Sequence, residues 1–445
     1  MRTLPSTSRF WIKTALEMAS DTLGTITKYH AVHGDVFKLA MGGRTRYIVV
    51  HPDLVDEVLV GQKKKFQKSK TYKELLPLLT GHGMIGIDGE LWRKHRRIAQ
   101  PAFHKKYLAT IYEHKRKVVD EYLSTLPELP QPVIWNHEMT MLTLDVVTQA
   151  LMGEGIKGEA PVIHKAIDDS LKYLIQMALN PIARATDRFT NRRKQFSKQK
   201  QQIDYLVDSM IASRRQEGNE GKFDLMAMLM NSHDEETQES LDDEGLKSEM
   251  LTIFLAGHET SANAMSWGIV SLMQNPNSWE RLREEVDTVI GKDLPTFEQL
   301  FQLPYTRQVV DEILRLYPSA WAIGRTVLEP ITLGGFQIPS GVDLVLPIYH
   351  VHRHPQFWEN PDQFDPDRFS PSNVQEIHPK AYLPFGSGPR KCIGNHFAII
   401  EMLLILTVIA QRLDLELLTQ EVKGQASLTY RPITDIKVKV TPRPS

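Results

Sequence analysis

The sequence has little cysteine: Cys392 is the only one in 445 residues. One cysteine cannot form a disulfide within the chain or supply a cysteine-rich zinc site, so a disulfide framework and a zinc ribbon are both excluded. A lone cysteine is most often a small buried apolar residue. Its role therefore depends on the residues around it.

An excess of charge of one sign is also missing, because 53 Lys and Arg face 54 Asp and Glu. The net charge of −1 gives no overall field that would attract nucleic acid. Residues 1–25 contain neither an apolar run of membrane-spanning length nor the pattern of a secretory signal. We expect a cytoplasmic protein with no membrane span and no nucleic-acid partner.

Repeats, low-complexity tracts and flexible linkers are absent, and helical patterns dominate. The fold class we predict is mainly α with a minor β portion, including a hairpin at Val36–Val50. The longest apolar helix is predicted at Leu246–Gln274, apolar nearly all round and therefore central and buried. Its polar middle, residues 257–260, excludes a transmembrane helix. Further helices are expected at about 91–126, 145–215, 305–317 and 394–412, and the second of these stretches is expected to break near Asn180 and Pro181.

The loop around the cysteine, residues 385–394, reads Phe-Gly-Ser-Gly-Pro-Arg-Lys-Cys-Ile-Gly. Cys392 is predicted to open an apolar helix, where the helix dipole favours a thiolate. Arg390 and Lys391 add positive potential, and Phe385 can shield the sulfur from water. Such a thiolate could be a nucleophile, a redox sensor or a metal ligand. His396 lies one turn further on, so a nucleophile with a histidine base stays open.

The spacing Phe-x-x-Gly-x-Arg-x-Cys-x-Gly resembles the haem-binding loop of the cytochrome P450 family. The resemblance implies that Cys392 is the iron ligand of a haem b, held between the long central helix and the helix after the Cys loop. It extends from Trp92 to Gly394 and, through the hairpin, towards the N-terminus. We therefore expect residues 1–445 to form a single domain with this fold.

Two further motifs match the family in order. Glu312 and Arg315 stand three apart on one helix face, which alone indicates no more than a surface ion pair. In the family, such a Glu-x-x-Arg helix forms a buried group with the arginine of a Pro-x-Arg-Phe segment, here Arg368. This group orders the Cys loop.

Glu259 and Thr260 lie in the middle of the central helix. A threonine there can bond back to the carbonyl group four residues earlier, so simple local distortion of the helix is one interpretation. The resemblance implies more, namely that this acid and alcohol are the catalytic residues that guide protons during dioxygen activation.

Four residues are expected to hold the haem propionates. Trp92 and Arg96 stand on one helix face and alone indicate only packing and solvation. In the family this pair donates to a propionate, as do the arginines at the positions of Arg325 and Arg390. Cations converging on two carboxylates form charge-assisted hydrogen bonds.

The alternating histidines His350, His352 and His354 raise the possibility of a metal site. We prefer a structural role. The resemblance explains His352 and Arg353 as part of a His-Arg-Asp-Pro-like stretch, in which His354 replaces the usual acid.

The resemblance implies a monomeric monooxygenase that hydroxylates or epoxidises an apolar small molecule with O2, a fatty acid or a terpenoid. Electrons come from a separate ferredoxin or flavodoxin with its NAD(P)H reductase. A basic docking surface is as good an interpretation as a solvated face for Lys94, Arg97, Lys105, Lys106 and Lys391. Substrate-facing segments by analogy are 70–85, 174–181, Ala256, 319–323 and 428–430, with Trp321 and Tyr430 as large apolar groups and Lys70 or Arg184 as possible partners of a substrate carboxylate.

Two other functions stay open. One is a haem-thiolate enzyme that uses peroxide or isomerises a hydroperoxide, and such members often lose the acid–alcohol pair that Glu259 and Thr260 preserve here. The other is a non-catalytic haem sensor or carrier, which has no need of Thr260.

Overall fold

The computed structural model describes residues 4–7, 11–41, 44–153, 160–179, 183 and 186–444. Helix dominates these ranges, as the sequence predicted. The α-helices are Trp11–Ser20, Thr22–His33, Pro52–Asp56, Lys70–Leu75, Pro77–Thr80, Gly89–Ala99, Lys105–Thr125, Trp135–Met152, Ala160–Leu179, Arg192–Glu217, Leu225–Asn231, Asp243–Gln274, Pro276–Val289, Pro304–Leu316, Ile348–Val351 and Asn395–Arg412.

The β portion is small and lies at the two ends of the chain and around residue 330. Its strands are β1 Val36–Met41, β2 Arg44–Val49, β3 Phe66–Lys68, β4 Val133–Ile134, β5 Ile323–Val327, β6 Ile331–Leu333, β7 Phe336–Ile338, β8 Asp343–Leu346, β9 Leu413–Leu417, β10 Gly424–Ala426, β11 Tyr430–Pro432 and β12 Lys437–Pro442. The largest sheet has the order β1-β2-β8-β5-β3, in which β2 and β8 are parallel and the other pairs are antiparallel. The predicted hairpin is the β1–β2 pair, which is thereby confirmed.

The central helix runs from Asp243 to Gln274, three residues longer at its start than predicted. The Asp242 side chain caps the helix by accepting the Gly245 N–H at 2.7 Å. Asp243 and Glu244, which follow the cap, therefore belong to the first turn. The helix packs along Trp135–Met152. A Cβ atom on Gly257 would lie 2.8 Å from Val147 Cγ2, so glycine permits this close approach.

The basic stretch predicted as one helix at 91–126 forms two helices, Gly89–Ala99 and Lys105–Thr125, with a 3₁₀ turn at Gln100–Phe103 between them. Pro101 explains the break, because proline has no N–H for helix continuation. The predicted break near Asn180 and Pro181 lies outside the described residues.

The last helix, Asn395–Arg412, has a mean hydropathy of 1.3 over 18 residues and meets the length and composition of a membrane span. Within the described ranges it is the only helix that does so, and 72% of it is buried inside the protein. It packs against Lys105–Thr125 and Pro276–Val289. These contacts are those of a core helix, and a single apolar helix of this kind is weak evidence for a membrane span.

Candidate functional site

The Cys loop is folded tightly before the last helix. The Cys392 N–H donates to the Phe385 carbonyl oxygen at 2.9 Å, which closes the loop on itself. Gly386 and Gly388 have left-handed φ values of 68° and 70°. At Gly388 a Cβ atom would also lie 2.4 Å from the Leu59 carbonyl oxygen. Conformation and space therefore both require glycine at this position.

Cys392 does not open the helix, which begins three residues later at Asn395. The sequence prediction was wrong here because a turn at Gly394 intervenes. The cysteine side chain is accessible on one side, but the protein packed around it removes water and raises the pKa of the thiol; the Gly394 backbone, Arg96 and Lys391 lower it less strongly. A metal ion deprotonates a thiol that coordinates it, so a thiolate at Cys392 is expected with a bound metal.

The predicted Glu-x-x-Arg pair is fully buried. Arg315 donates from Nε and Nη2 to the two carboxylate oxygens of Glu312, at 2.6 and 2.7 Å. Its other three N–H groups donate to the carbonyl oxygens of His352, Pro361 and Gln363, at 3.0, 2.7 and 3.1 Å. All five donors of the guanidinium are used, which is the condition for burying this charge.

Arg368 joins this pair as the sequence predicted. Its Nε lies 3.6 Å from Glu312 Oε1, and the same oxygen accepts the Asp365 N–H at 2.9 Å. Burial nevertheless raises the pKa of Glu312. The acid and both arginines are therefore one group, surrounded by the backbone of residues 352–365.

His352 connects this group to the Cys loop. Its Nδ1 donates to the Arg315 carbonyl oxygen at 3.1 Å, and its Nε2 accepts the Leu383 N–H at 2.8 Å. Leu383 comes two residues before Phe385. The ordering of the Cys loop by the arginine group thus has a direct structural route.

Three cationic side chains gather around one carboxylate. Arg390 Nη2 contacts Asp88 Oδ1, while Lys68 and Arg325 are paired residues of β3 and β5. Burial, with repulsion from Arg390 as the next cause, lowers the pKa of Lys68 to about 7 and that of Arg325 to about 10. Arg390 Nη1 is buried without a hydrogen-bond partner among the described residues. The group therefore has surplus positive charge and a donor suited to an anionic ligand.

Trp92 and Arg96 lie one turn apart on the helix Gly89–Ala99. The Arg390 guanidinium lies over the Trp92 ring, 5.2 Å from its centroid. Arg96 Nη1 donates to the Lys391 carbonyl oxygen at 3.0 Å. The structure thus brings Trp92 to Arg390 and ties Arg96 to the Cys loop, and their binding of propionates stays a prediction.

An accessible stretch interrupts the buried central helix at its middle. Ala256 is exposed, and Glu259 and Thr260 are half-buried. Thr260 Oγ1 donates to the Ala256 carbonyl oxygen at 2.7 Å, and Ser319 Oγ donates to the Thr260 carbonyl oxygen at 2.7 Å. Because the Thr260 hydroxyl uses its proton in this hydrogen bond to Ala256, its lone pairs can still accept a hydrogen bond from another donor.

Glu259 is held by the C-terminal part of the chain. Thr429 Oγ1 donates to Glu259 Oε1 at 2.7 Å and accepts from Asn263 Nδ2 at 3.2 Å. Arg431 Nη1 lies 4.0 Å from the same carboxylate oxygen. Glu259 and Thr260 are therefore neighbours in sequence whose side chains have different partners.

A cavity of about 740 Å³, lined by both polar and apolar side chains, borders Glu259 on the side of Arg431. Asp168 and Lys172 line it from the helix Ala160–Leu179. Arg431 Nη1 lies 3.1 Å from Asp168 Oδ1, and Lys172 Nζ lies 2.5 Å from Asp168 Oδ2. Water-sized molecules can therefore reach the acid past groups that exchange protons readily.

Sequence reasoning missed Lys68, Asp88 and Arg431. It included Thr429 only as part of the substrate-facing segment 428–430 and did not predict its contact with Glu259. Asp88 stands immediately before the helix that carries Trp92, a position that favours acids, and this was the available signal. Thr429 and Arg431 lie about 170 residues after Glu259 in the sequence, and no local sequence pattern indicates that they contact it.

The substrate-facing residues need correction at Tyr430. It is buried and stacked on Trp267, with ring centroids 5.4 Å apart, so it belongs to an aromatic core. Trp321 is half-buried and donates from Nε1 to the Ser427 carbonyl oxygen at 2.8 Å. Lys70 is exposed, and Arg184 lies outside the described residues.

The predicted basic surface is smaller than its sequence suggested. Lys94 pairs with Glu239 and Arg97 pairs with Asp234, so internal acids neutralise both. The remaining members, Lys105, Lys106 and Lys391, are exposed. Three cations stay available at this surface.

The donor set fits a haem. An accessible cysteine thiol suits iron, the surplus cations with the buried Arg390 Nη1 suit propionates, and the exposed Ala256 gives a flat ligand access to the central helix. A small ion alone would not account for the aromatic and cationic groups together.

Comparison with known proteins agrees. A sequence model of the family described as Cytochrome P450 matches residues 4–439. The chain is 33% identical to cyclooctatin synthase of Streptomyces melanosporofaciens, over 89% of this chain and 86% of that protein. It is 31% identical to cyclooctat-9-en-7-ol 5-monooxygenase of the same organism, over 85% and 82%.

Among solved structures, the crystal structure of the cytochrome P450DA haem domain matches with a TM-score of 0.89 and 28% identity, covering 99% of this chain and 97% of that one. The predicted fold class and haem cofactor are thereby confirmed. The chain belongs to the cytochrome P450 family.

Proposed function

We propose that this chain is a monooxygenase that hydroxylates or epoxidises an apolar small molecule with O2 and electrons from a separate redox protein. The observation that carries the proposal is the accessible middle of the central helix, where Glu259 and Thr260 are both present and the acid borders a cavity. A haem carrier needs neither residue. When bound, haem supplies the iron at which dioxygen is reduced.

The chain's own residues would hold the haem from several elements. Cys392 would provide the thiolate ligand, and Phe385, half-buried beside it, would keep water from the sulfur. The propionates would be held by Trp92, Arg96, Arg325 and Arg390, with Lys68 as an additional cation. Charge-assisted hydrogen bonds of this kind fix orientation as well as affinity.

Glu259 and Thr260 would move protons. A water in the cavity donates to Glu259 Oε1, which exchanges its bond from Thr429 for one to the incoming proton. Glu259 would then pass a proton on towards the side where dioxygen is reduced and return to the carboxylate form. The Thr260 hydroxyl, which donates its own hydrogen bond to the Ala256 carbonyl oxygen, would accept a hydrogen bond from the group that carries this proton. The pair thus delivers protons without opening the substrate pocket to bulk water.

The substrate class we propose is a terpenoid or a fatty acid. The name of one relative specifies cyclooctat-9-en-7-ol, an unsaturated alcohol, as the compound that it oxidises. The half-buried Trp321 and the exposed Ala256 offer apolar surface for such a molecule. A library screen for the low-spin to high-spin shift on substrate binding would identify the compound.

We place the protein in the cytoplasm as a monomer whose residues 1–445 act as one unit. Lys105, Lys106 and Lys391 suit an acidic ferredoxin or flavodoxin, which with its NAD(P)H reductase would supply the electrons. Substrate-dependent NAD(P)H consumption with such partners is expected.

The reduced, CO-bound absorption spectrum tests the ligand. We expect the red-shifted Soret band of a thiolate-ligated haem, and its loss in Cys392→Ala. A normal spectrum in that variant would refute the assignment. Absence of substrate-dependent NAD(P)H consumption in a protein with the correct spectrum would instead refute the monooxygenase and favour a sensor or carrier.

A further inference from the structure

The alternating histidines at positions 350, 352 and 354 do not converge on one another. Burial lowers the pKa of His350 and of His352 to about 3, so both are neutral at ordinary pH. His354 instead contacts residues from the N-terminal part of the chain, with the His51 ring among them, and two of these residues offer ligand atoms next to its own. These are His30, in the last turn of Thr22–His33, and Asp35, which comes just before β1.

The three side chains share one point. His30 Nε2 lies 2.8 Å from Asp35 Oδ1, and His354 Nε2 lies 3.0 Å from the same oxygen. The three atoms all lie within 4.8 Å of one another. A zinc ion with bonds of about 2.1 Å keeps its ligand atoms roughly 3.0–3.5 Å apart. Each imidazole nitrogen therefore needs to move from the carboxylate oxygen by only a few tenths of an ångström, and the two nitrogens already lie within 4.8 Å of each other.

Burial and charge also suit a cation. The side chains of His354 and His30 are 3% and 16% exposed, whereas that of Asp35 is 31% exposed. Asp35 contributes a carboxylate, which attracts a cation more strongly than a neutral side-chain ligand does. Within the described ranges, no other three such side chains meet this spacing.

We propose that His30, Asp35 and His354 bind one divalent transition-metal ion, of which Zn²⁺ is the model, with water completing the coordination on the exposed side. Two imidazoles and one carboxylate select such an ion over Mg²⁺ or Ca²⁺, which prefer oxygen ligands. The site is distinct from the cysteine that would hold iron, and it does not depend on the proposed function.

Binding has an identifiable cost. With the metal on Nε2, each neutral imidazole carries its proton on Nδ1. In His354 this nitrogen accepts the Gln356 N–H at 3.3 Å, and that bond is lost. We therefore expect an affinity of about micromolar, weaker than that of structural zinc sites in which the second nitrogen donates to an acceptor.

The ion would join distant parts of the chain. It links the helix Thr22–His33 to the segment before Pro355, and His354 is two residues from His352, whose Nε2 binds the Leu383 N–H beside the Cys loop. Because the ion binds only the folded chain, saturation should raise the unfolding temperature by a few degrees.

The experiment uses the haem-loaded protein after dialysis against EDTA, with Zn²⁺ and Mg²⁺ titrated separately by calorimetry. We expect one Zn²⁺ per chain at this affinity, a higher unfolding temperature with Zn²⁺, and no such change with Mg²⁺. Asp35→Asn and His30→Gln should each weaken Zn²⁺ binding at least tenfold. The absorption spectrum of the haem checks that each variant is folded.

His137→Asn is the matched control, because His137 is an exposed histidine that also contacts an acid, Glu138, at 3.2 Å. It should bind Zn²⁺ as the parent does. Equal binding by the parent and Asp35→Asn would overturn the proposal and leave the three residues as a hydrogen-bonded contact. A loss in His137→Asn equal to that in His30→Gln would overturn it too, since binding would then reflect surface histidines in general.

Discussion

The Glu312–Arg315 ion pair and the Glu259 carboxyl group both belong to mostly buried helices. Arg315 has no exposed surface and donates all five N–H groups to protein oxygens. Glu259 is half-buried, is held by a hydroxyl at 2.7 Å and borders a cavity of about 740 Å³.

The difference distinguishes a buried ion pair that holds the fold in place from an acid that could transfer protons. The donors of Arg315 cannot change partners without leaving a buried charge unpaired, so this pair fixes the backbone around it. Glu259 can exchange a hydroxyl for water at small cost, which a group that transfers protons requires. The chain is therefore rigid where it positions the cysteine and adaptable where it would move protons.

The largest expected effect comes from Arg315→Lys. A lysine has three donors and no planar fork, so it cannot serve the Glu312 carboxylate together with three carbonyl groups. We expect a loss of about 3–5 kcal/mol in the free energy of unfolding, measured by urea titration, and a lower haem content after purification.

Arg281→Lys is its control, since Arg281 forms a bidentate pair with Asp367 at 2.8 and 2.9 Å on the surface. Such an exposed pair contributes about 0–1 kcal/mol. Equal losses in the two variants would show that burial is not what distinguishes the Glu312–Arg315 pair.

Thr260→Ala tests the other side of the comparison. Removal of the hydroxyl should lower product formation with reductase and ferredoxin about 100-fold, whereas turnover driven by hydrogen peroxide should persist because the peroxide brings its own protons. Product yield per NAD(P)H measures the loss. Thr252→Ala is the control, since Thr252 lies two turns earlier and its hydroxyl has no hydrogen-bond partner within the described ranges.

Unchanged reductase-driven turnover in Thr260→Ala, with peroxide-driven turnover intact, would contradict the monooxygenase proposal. It would favour an enzyme that uses peroxide or isomerises a hydroperoxide.

The stability of the fold around the Glu312–Arg315 pair should also depend on pH, because His352 is part of it. His352 is neutral in the folded protein, where burial lowers its pKa from 6.5 to about 3. Between these values the unfolded chain binds more protons, so stability is lost as the pH falls below about 6.5. From pH 7.5 to 5.5 we expect His352 to account for about 1.4 kcal/mol of lost unfolding free energy.

Urea titrations at these two pH values measure this loss, and His352→Asn should show a dependence smaller by that amount. His350 has the same lowered pKa and serves as the internal comparison, because its contribution remains in the variant. An unchanged pH dependence would mean that His352 is not neutral in the fold.

The sequence was sufficient to predict the contacts of the Glu312–Arg315 pair and insufficient to predict those of Glu259. Glu312 and Arg315 are three residues apart, so helix geometry alone places them together, and Arg368 followed from a motif. The partner of Glu259 could not be found in this way, because Thr429 reaches it only after the C-terminal strands have folded back. The last helix was predicted to begin at about 394, within one residue of its observed start at Asn395. Only the expectation that Cys392 opens this helix was wrong, since a turn at Gly394 leaves no clear pattern.

Thr429→Val examines the contact that the sequence did not reveal, and its expected effect is the smallest. Valine keeps the volume but removes the hydroxyl that donates to Glu259, while Arg431, at 4.0 Å, still attracts the carboxylate. We expect reductase-driven product formation to fall by about tenfold or less, as for loss of one hydrogen bond to a charged group. Thr429→Ser should restore it. If the valine and serine variants form product at the same rate, the Thr429 hydroxyl does not position Glu259. The freedom of Glu259 to change partners would then come from the neighbouring cavity alone.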